Sequence, residues 1–369
     1  MPIDRIRIQN FKSIRDSGDI KIAPINILIG ANGVGKSNFI SFFKMLNSIS
    51  KKRLEFFVAD NGYENSLLYF GRKKSKSIEG SIIFKPLDKN TNNRYDFKLV
   101  PKSQSSGFYF ERDEGGFNSF ARGYNESWSF EDLGGKGKTE SGIFENGLTR
   151  AEFLRAHFSS FNVFHFHDTS SSSSLRQPSK TLDYRYLKSD GSNLAAFLYR
   201  IKSTHPKHFK MIEYTIGSVA PFFERFDLEP DAKNPEVIFL NWFEKGSDEY
   251  FNAFHLSDGT LRFIALTTLL LQPDLPSTII LDEPELGLHP IAISKLAGMV
   301  KKASVNSQII IATQSVNLVN EFSADDILVA NREDNQTVFK RQSAQALENW
   351  LEEYSVGELW EKNVIGGRI

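Results

Sequence analysis

Cysteine is absent from the 369 residues, which excludes disulfides, thiol nucleophiles and cysteine-ligated metals. A net charge is absent too, because 45 Lys and Arg balance 45 Asp and Glu. Such a chain projects no global field toward nucleic acid, so any nucleic-acid surface has to be local. Long apolar runs are missing: the longest, Phe263 to Leu271, is too short to cross a bilayer. Met1 to Ile8 lacks the apolar core of a signal peptide. These absences read as a cytoplasmic chain with no membrane partner. No internal repeat and no heptad pattern occurs, so no coiled-coil arm is expected. The set His165-Phe166-His167-Asp168 evokes a metal site, but no other ligand cluster joins it. Phenylalanine, at 32 residues, is plentiful and is assigned to core and sheet-face packing rather than base stacking.

The strongest positive signal is Gly30-Ala31-Asn32-Gly33-Val34-Gly35-Lys36-Ser37, which fits G-x-x-x-x-G-K-[ST] at every fixed position. Ile25 to Ile29 before it reads as a buried strand, and Asn38 to Leu46 after it as a helix with an apolar face. Strand, glycine loop and helix are the setting in which backbone N–H groups form an anion nest at a helix N-terminus. Gly30, Asn32, Gly33, Gly35 and Asn38 would then cradle phosphates. Lys36 would reach the β- and γ-phosphates of ATP, and Ser37 would ligate Mg²⁺.

A second strand, Ser277 to Leu281, ends in the adjacent acids Asp282 and Glu283. Strand ends carry such groups to the edge where ligands sit in open α/β sheets. Asp282 is assigned to Mg²⁺ and Glu283 to the attacking water. Leu256-Ser257-Asp258-Gly259-Thr260-Leu261-Arg262 reads locally as a helix N-cap ahead of the helix Phe263 to Leu271.

Between these motifs the pattern changes. Residues 3–8 alternate as a half-exposed strand, and Asn10 to Arg15 turn into a second. Ser77 to Phe84, Tyr95 to Val100, Phe108 to Arg112 and Ser127 to Phe130 predict an antiparallel meander. Gly134 to Lys138 predicts a flexible loop. Phe161 to Phe166 reads as a strand, and Ser170 to Ser174 as a disordered or nucleotide-ordered loop. Asn193 to Lys202 and Phe209 to Ala220 read as helices; Val237 to Phe243 and Tyr250 to Phe254 as strands. Asp325-Asp326 opens a final strand, Ile327 to Ala330, followed by a tail helix, Ala344 to Tyr354, with Trp350 and Trp360 as packing anchors.

Taken together, these residues resemble the RecF/SMC/OLD branch of ABC-type ATPases, and more narrowly the stand-alone bacterial "AAA family" ATPases. The resemblance rests on Asn10-Phe11-Lys12-Ser13, the glycine loop, His165 to Thr169 and Asp190 to Leu194. It extends through Leu256 to Gly259, Asp282-Glu283-Pro284-Glu285-Leu286-Gly287-Leu288-His289-Pro290 and Tyr354 to Trp360. It implies an α/β, ABC-type P-loop NTPase head with a mixed sheet core, an antiparallel β meander and a helical lobe. The corresponding divisions are 1–50 with 255–369 for the ATPase core, 51–150 for the β subdomain and 151–254 for the helical lobe.

The resemblance also assigns roles. Ser257, Asp258 and Gly259 match the signature that meets a nucleotide held by a second subunit, which implies an ATP-dependent head-to-tail homodimer. Lys12 and Ser13 match a loop beside the nucleotide, against the plainer reading of a strand turn. Leu286 to Pro290 match the loop that crosses the dimer interface, with His289 as a packing residue. Gln314-Ser315 stands where many relatives have His-Ser; Gln314 cannot become cationic, which implies slower turnover or weaker γ-phosphate sensing. For the Q-loop glutamine of relatives there are two candidates, Gln177 after the serine run and Gln104 in the meander. His167 and Asp168 line the site or form a strand-terminal turn.

Two downstream tasks fit: coupling ATP state to DNA binding in repair, maintenance or defence, or gating a partner effector protein in an anti-phage or toxin-like system. Lys51-Lys52-Arg53 and Arg72-Lys73-Lys74 are the local basic clusters available to DNA. A fused nuclease is not expected, since about 55 residues follow Ser315, fewer than a typical added domain.

Overall fold

The computed structural model describes residues 2–85, 91–119 and 128–367. The chain opens with strands β1 (Ile3–Phe11), β2 (Ile14–Asp16), β3 (Ile20–Lys21) and β4 (Ile25–Ile29), then helix α1 (Lys36–Ser50). Short helices α2 (Leu54–Asp60), α3 (Tyr63–Leu67) and α4 (Gly71–Lys74) lead to β5 (Ile78–Phe84), β6 (Thr91–Pro101), β7 (Phe108–Ser119) and β8 (Ser129–Asp132). Helix α5 (Thr149–Ser159) and β9 (Asn162–Phe164) follow, then β10 (Ser179–Lys180), α6 (Leu194–Thr204) and α7 (Pro206–Gly217). Next come β11 (Phe223–Asp227), β12 (Val237–Ile238), β13 (Asn241–Glu244), β14 (Tyr250–Phe251) and α8 (Asp258–Leu271). The last third holds β15 (Thr278–Asp282), α9 (Pro290–Ala303), β16 (Gln308–Ala312), α10 (Val316–Val319), β17 (Ile327–Glu333), β18 (Gln336–Arg341), α11 (Glu348–Leu351) and α12 (Val356–Glu361).

Two sheets share α1 as a common filling. The central sheet runs β18-β17-β4-β16-β15-β9, parallel except for the antiparallel edge strand β18. Its inner strands are continuous apolar runs because both faces are covered. The second sheet, β2-β1-β5-β6-β7-β8 with β3 on β1, is antiparallel and continuous across residue 50. Its β5 alternates strictly, with Ile78, Gly80, Ile82 and Phe84 turned inward. Alternation along the central strands sends Leu28, Ile280, Ile310 and Leu328 toward α1, and Ile27, Ile279, Ile311 and Val329 toward α8 and α9. The abundant phenylalanines fill the layer around α1. Phe11, Phe39, Phe42, Phe43, Phe84 and Phe97 are fully buried, and the Phe42 ring lies 5.6 Å from Phe11 and 6.0 Å from Phe97. Gly80 is needed there, because a Cβ would come within 2.3 Å of the Phe97 ring.

One buried amide ties the sheets together. The Gln308 side chain accepts from the Ile3 N–H at 2.9 Å and donates to the carbonyls of Ile3, Ala23 and Ile22 at 2.9, 3.1 and 3.2 Å. Gln308→Leu strands an amide N–H and removes that donor, so a loss of about 2–4 kcal/mol is expected in denaturant unfolding. A change below 0.5 kcal/mol would show that the amide is not a structural tie.

Several local expectations need correction. Gly134 to Lys138 is not a loose loop: Lys136 bridges to Phe110, and Gly137 N–H donates to the Phe110 carbonyl at 2.7 Å. Buried Asp113 anchors the segment, accepting from Gly142 N–H and Ser141 Oγ, each at 2.8 Å. Val237 to Phe243 divides, because β12 pairs with β10 while β13 pairs with β11 and β14. The strand expected over Ser127 to Phe130 is Ser129–Asp132, with Ser127 outside the described residues. The strand from Ile327 runs on to Glu333 and turns back as β18.

The tail helix expected over Ala344 to Tyr354 is instead a 3₁₀ turn and the short α11, and α12 follows beyond it. Ser355 and Glu358 form a capping box that starts α12 anew. Trp360 is buried, whereas Trp350 is 47% exposed and anchors no core. Among the described residues no helix is long and apolar enough to cross a membrane.

Candidate nucleotide site

The glycine loop follows β4 at the carboxyl edge of the central sheet. Gly30 has φ 154°, and a Cβ there would sit 2.5 Å from the Ala330 carbonyl oxygen. Gly35 has φ 114°, and its Cβ would lie 2.2 Å from Thr337 Oγ1. Glycine is the residue that accepts both the left-handed backbone and the close approach. Lys36 is buried, and its ammonium donates to the carbonyls of Gly30 at 2.6 Å and Ala31 at 3.1 Å. Burial lowers its pKa, and the charges of Glu283, Asp282 and Glu285 oppose that shift. Asn32, Gly33 and Ser37 face solvent at the mouth of the loop.

A chain of side-chain donors braces the loop from below. Asn38 Nδ2 donates to Ser13 Oγ at 2.6 Å, Ser13 and Thr337 hydroxyls meet at 2.7 Å, and Thr337 Oγ1 donates to the Val34 carbonyl at 2.6 Å. Ser13 therefore supports the loop rather than closing an isolated strand turn. Lys12 has φ 51° and donates to Ser41 Oγ at 2.9 Å and Asn61 Oδ1 at 3.1 Å, beside Ser13 and Asn38 in a cleft of about 410 Å³. The strand expected to end at Ala330 stops short of Thr337, so the local pattern gives Thr337 no role. A signal existed: Asp334-Asn335, both with positive φ, is the two-residue turn of a hairpin.

Asp282 ends β15, two strands from the glycine loop. Burial raises its pKa, Glu283 adds to that, and His167, Lys44 and Lys36 lower it. His167 Nε2 donates to the Asp282 carbonyl at 2.5 Å. His165 Nδ1 lies 3.9 Å from the Asp282 carboxylate, and burial with Lys44 and His167 nearby lowers the His165 pKa to about 4, so this imidazole is neutral. His167 thus joins the site. Asp168 instead closes a turn, accepting from Ser170 N–H at 3.0 Å and Ser170 Oγ at 2.7 Å. That turn gives the serine run a defined path.

Glu283 holds φ 43°, a strained backbone for a glutamate, fixed by its N–H donating to the Ala312 carbonyl at 2.7 Å. Gln314 Nε2 donates to Glu283 Oε1. Buried Glu285 accepts from Thr313 Oγ1, and its second oxygen has no hydrogen-bond partner among the described residues. Burial raises the Glu285 pKa. The sequence reading gave Glu285 no chemical role. Gln177 is exposed and donates to the Ser171 carbonyl at 3.1 Å. Gln104 lies in the turn between β6 and β7. His289 is an exposed N-cap of α9.

The signature segment caps α8. Ser257 Oγ accepts from Thr260 N–H at 3.2 Å. Asp258 accepts from Arg176 Nη2 at 2.7 Å, and the buried Arg176 also donates to the carbonyls of Thr169, at 2.7 Å, and of Leu256, at 3.1 Å. Arg176 therefore welds the serine loop to the signature. No local pattern marks it in the sequence, because its partners in the signature lie about 80 residues away. Gly259 is required by proximity: a Cβ would fall 2.4 Å from the Gly287 carbonyl oxygen. Buried Arg262 donates to the Phe166 and His167 carbonyls at 2.9 and 3.0 Å, tying α8 to the end of β9. Among the described residues no group of three His, Cys, Asp or Glu converges on a metal position.

Known proteins match this arrangement. The family model described as "AAA domain, putative AbiEii toxin, Type IV TA system" covers residues 25–320. Among solved structures, an SMC head bound to the C-terminal winged-helix domain of ScpA superposes with TM-score 0.60 at 16% identity, over 94% of this chain and 100% of that one. The Pyrococcus furiosus SMC head with an extended coiled coil gives 0.57 at 15% identity, over 95% and 99%. Curated relatives align over short stretches. The energy-coupling factor transporter ATP-binding protein EcfA2 of Staphylococcus saprophyticus is 38% identical over 78 residues, 21% of this chain and 26% of that protein. ABC transporter A family member 11 of Dictyostelium discoideum is 31% identical over 84 residues, 23% of this chain and 10% of that protein. The chain thus spans about a quarter or less of these two proteins. With the family match running from β4 to α10, the chain belongs to this AAA-domain family, and its fold is that of an SMC head nearly end to end.

Proposed function

We propose that this protein binds and hydrolyses ATP with Mg²⁺ at composite sites formed by two copies arranged head to tail. One observation carries the reading. Helices α1 and α8 cover opposite faces of the central sheet, yet both begin at its carboxyl edge, where Gly259 touches Gly287 just after β15. A signature helix N-terminus on the far face serves a second chain's triphosphate more readily than its own. Lys36 and the backbone of Gly30 to Asn38 hold the phosphates. Ser37 and Asp282 hold Mg²⁺, and a cation relieves the cost of burying the Asp282 charge. Glu283, pinned by Ala312 and Gln314, positions the attacking water.

Complementation tests the arrangement. Lys36→Ala and Ser257→Arg should each abolish hydrolysis alone. Mixed in equal amounts, half of the dimers carry one intact composite site, so about a quarter of wild-type turnover returns. No recovery in the mixture would refute action in trans, and full activity of Ser257→Arg alone would remove the signature from the site.

The downstream coupling is to DNA or to a partner effector. Part of each basic cluster is neutralised, since Lys52 pairs with Glu145 and Arg72 pairs with Glu64 at 2.8 Å. That weakens a broad duplex-binding face. The family description, which speaks of toxins, favours an ATP-gated effector in defence or toxin-like systems. Co-purification of a protein released by ATP supports the effector. Salt-dependent duplex binding by the wild type supports DNA.

A further inference from the structure

A cation-rich cleft beside the C-terminal half of α1 serves no step of ATP binding or hydrolysis. It has a volume of about 340 Å³ where α1, α2 and the edge strand β9 meet. Lys44, Lys51 and Arg53 line it, with Asp60 as the acid on its wall. Among the described residues none of these three cations has a carboxylate within ion-pair distance, whereas the intervening Lys52 is paired with Glu145. Lys51 and Arg53 repel each other, a cost that an anion removes, while Lys44 feels the attraction of Asp282 at the far end of the cleft. Protein atoms crowding Lys44 and Lys51 hold both below the ordinary lysine range, and Arg53 adds to the effect on Lys51.

Lys51 also caps α1, where a cation offsets the helix dipole. That role leaves Arg53 unexplained, and Lys44 faces Asp282 from the inner end of the cleft. The Arg53 guanidinium lies 4.9 Å from the centroid of the Phe56 ring, and that ring is 62% exposed. His165, neutral and with a buried Nε2 that has no partner among the described residues, closes the end of the cleft near Asp282. Cations that take a phosphate, beside an open aromatic face that takes a base, are the elements of single-strand and nucleotide recognition.

We propose that this cleft binds a phosphorylated nucleotide unit, its phosphate on Lys44, Lys51 and Arg53 and its base stacked on Phe56. The position differs from that of the triphosphate: Lys44 and Lys51 are 8 and 15 residues beyond Lys36 on the same helix, about 12 and 22 Å along its axis. The volume lies in the range of small-ligand sites and admits one unit. The unit is either a free mononucleotide or the terminal nucleotide of a strand. The inference adds to the ATPase reading and does not rest on it.

The test uses the full chain with saturating ATP, so that the glycine loop is occupied. Three probes are titrated at low salt: dTMP, a 5′-phosphorylated oligothymidylate and the same oligomer without the phosphate. Binding of dTMP, or of the phosphorylated oligomer in preference to the other, is expected. Comparable binding of dTMP identifies a free nucleotide; binding of the oligomer alone identifies a strand end. Lys51→Glu with Arg53→Glu should weaken binding at least tenfold, and Phe56→Ala about fivefold or more, by loss of one stacked base. ATP affinity, measured separately, should not change. Failure of the wild type to bind ATP would strike the ATPase reading alone. No binding of any probe, or equal binding by wild type and both variants, would overturn the cleft assignment.

Discussion

Glu283→Gln is expected to hold two protomers together around uncleaved ATP, with hydrolysis reduced by about 10²–10⁴-fold. The backbone at Glu283 is set by its N–H bond to Ala312 and by φ 43°, not by the charge of the side chain. Glutamine keeps the volume, and its carbonyl oxygen still accepts from Gln314 Nε2. On the proposed reading, what is lost is the carboxylate that would polarise water, so binding should survive while the chemical step fails. Light scattering of the variant should give a doubled mass with ATP and a single-protomer mass without it. An unchanged single-protomer mass with ATP bound would eliminate the nucleotide-driven dimer.

Gly35→Ala is expected to abolish nucleotide binding, lowering affinity for a fluorescent ATP analogue by more than about 100-fold. The added Cβ would collide with Thr337 Oγ1 at 2.2 Å and Ser13 Oγ at 2.7 Å, from a backbone with φ 114°. Strain of that kind costs about 1–3 kcal/mol before the collision is counted. Both hydroxyls belong to the donor chain from Asn38 to Val34, so relief by movement breaks the brace under the loop. Gly33→Ala is the control. It has φ 78° but no atom within 4 Å of its Cβ, so it should retain measurably more affinity. Equal affinities in the two variants would show that backbone strain alone, and not the Thr337 brace, sets the effect.

Much of the site was legible because its parts are local. The glycine loop, β4 before it and α1 after it occupy one continuous stretch, and glycine spacing alone encodes the backbone path. Asp282-Glu283 at the end of an apolar strand is equally compact. Ser257 as N-cap needed three residues to recognise. Where the reading erred, the deciding contact was distant. The glycine-rich stretch at 134–138 looked loose because its partners, Phe110 and Asp113, are more than 20 residues upstream. Trp350 looked like an anchor because aromatic residues usually bury. Here the tail bends at the Ser355 cap, so Trp360 is buried against the core and Trp350 is left out.

By itself the sequence determined the glycine loop between β4 and α1, the acidic strand end, the Ser257 cap of α8 and the alternation that makes β5 one-sided. Each depends on steric and hydrogen-bonding rules acting over a few residues. Tertiary structure alone decided that Thr337 braces the loop from 300 residues away, that Arg176 and Arg262 join the serine turn, β9 and the signature, and that Gln308 ties β1 to the core. It also decided which cations remain unpaired, since Lys52 meets Glu145 while Lys51 and Arg53 do not. The physical reason is common to all of these. A buried donor or charge must find a partner wherever the packed chain supplies one, and that partner's place along the sequence is not constrained.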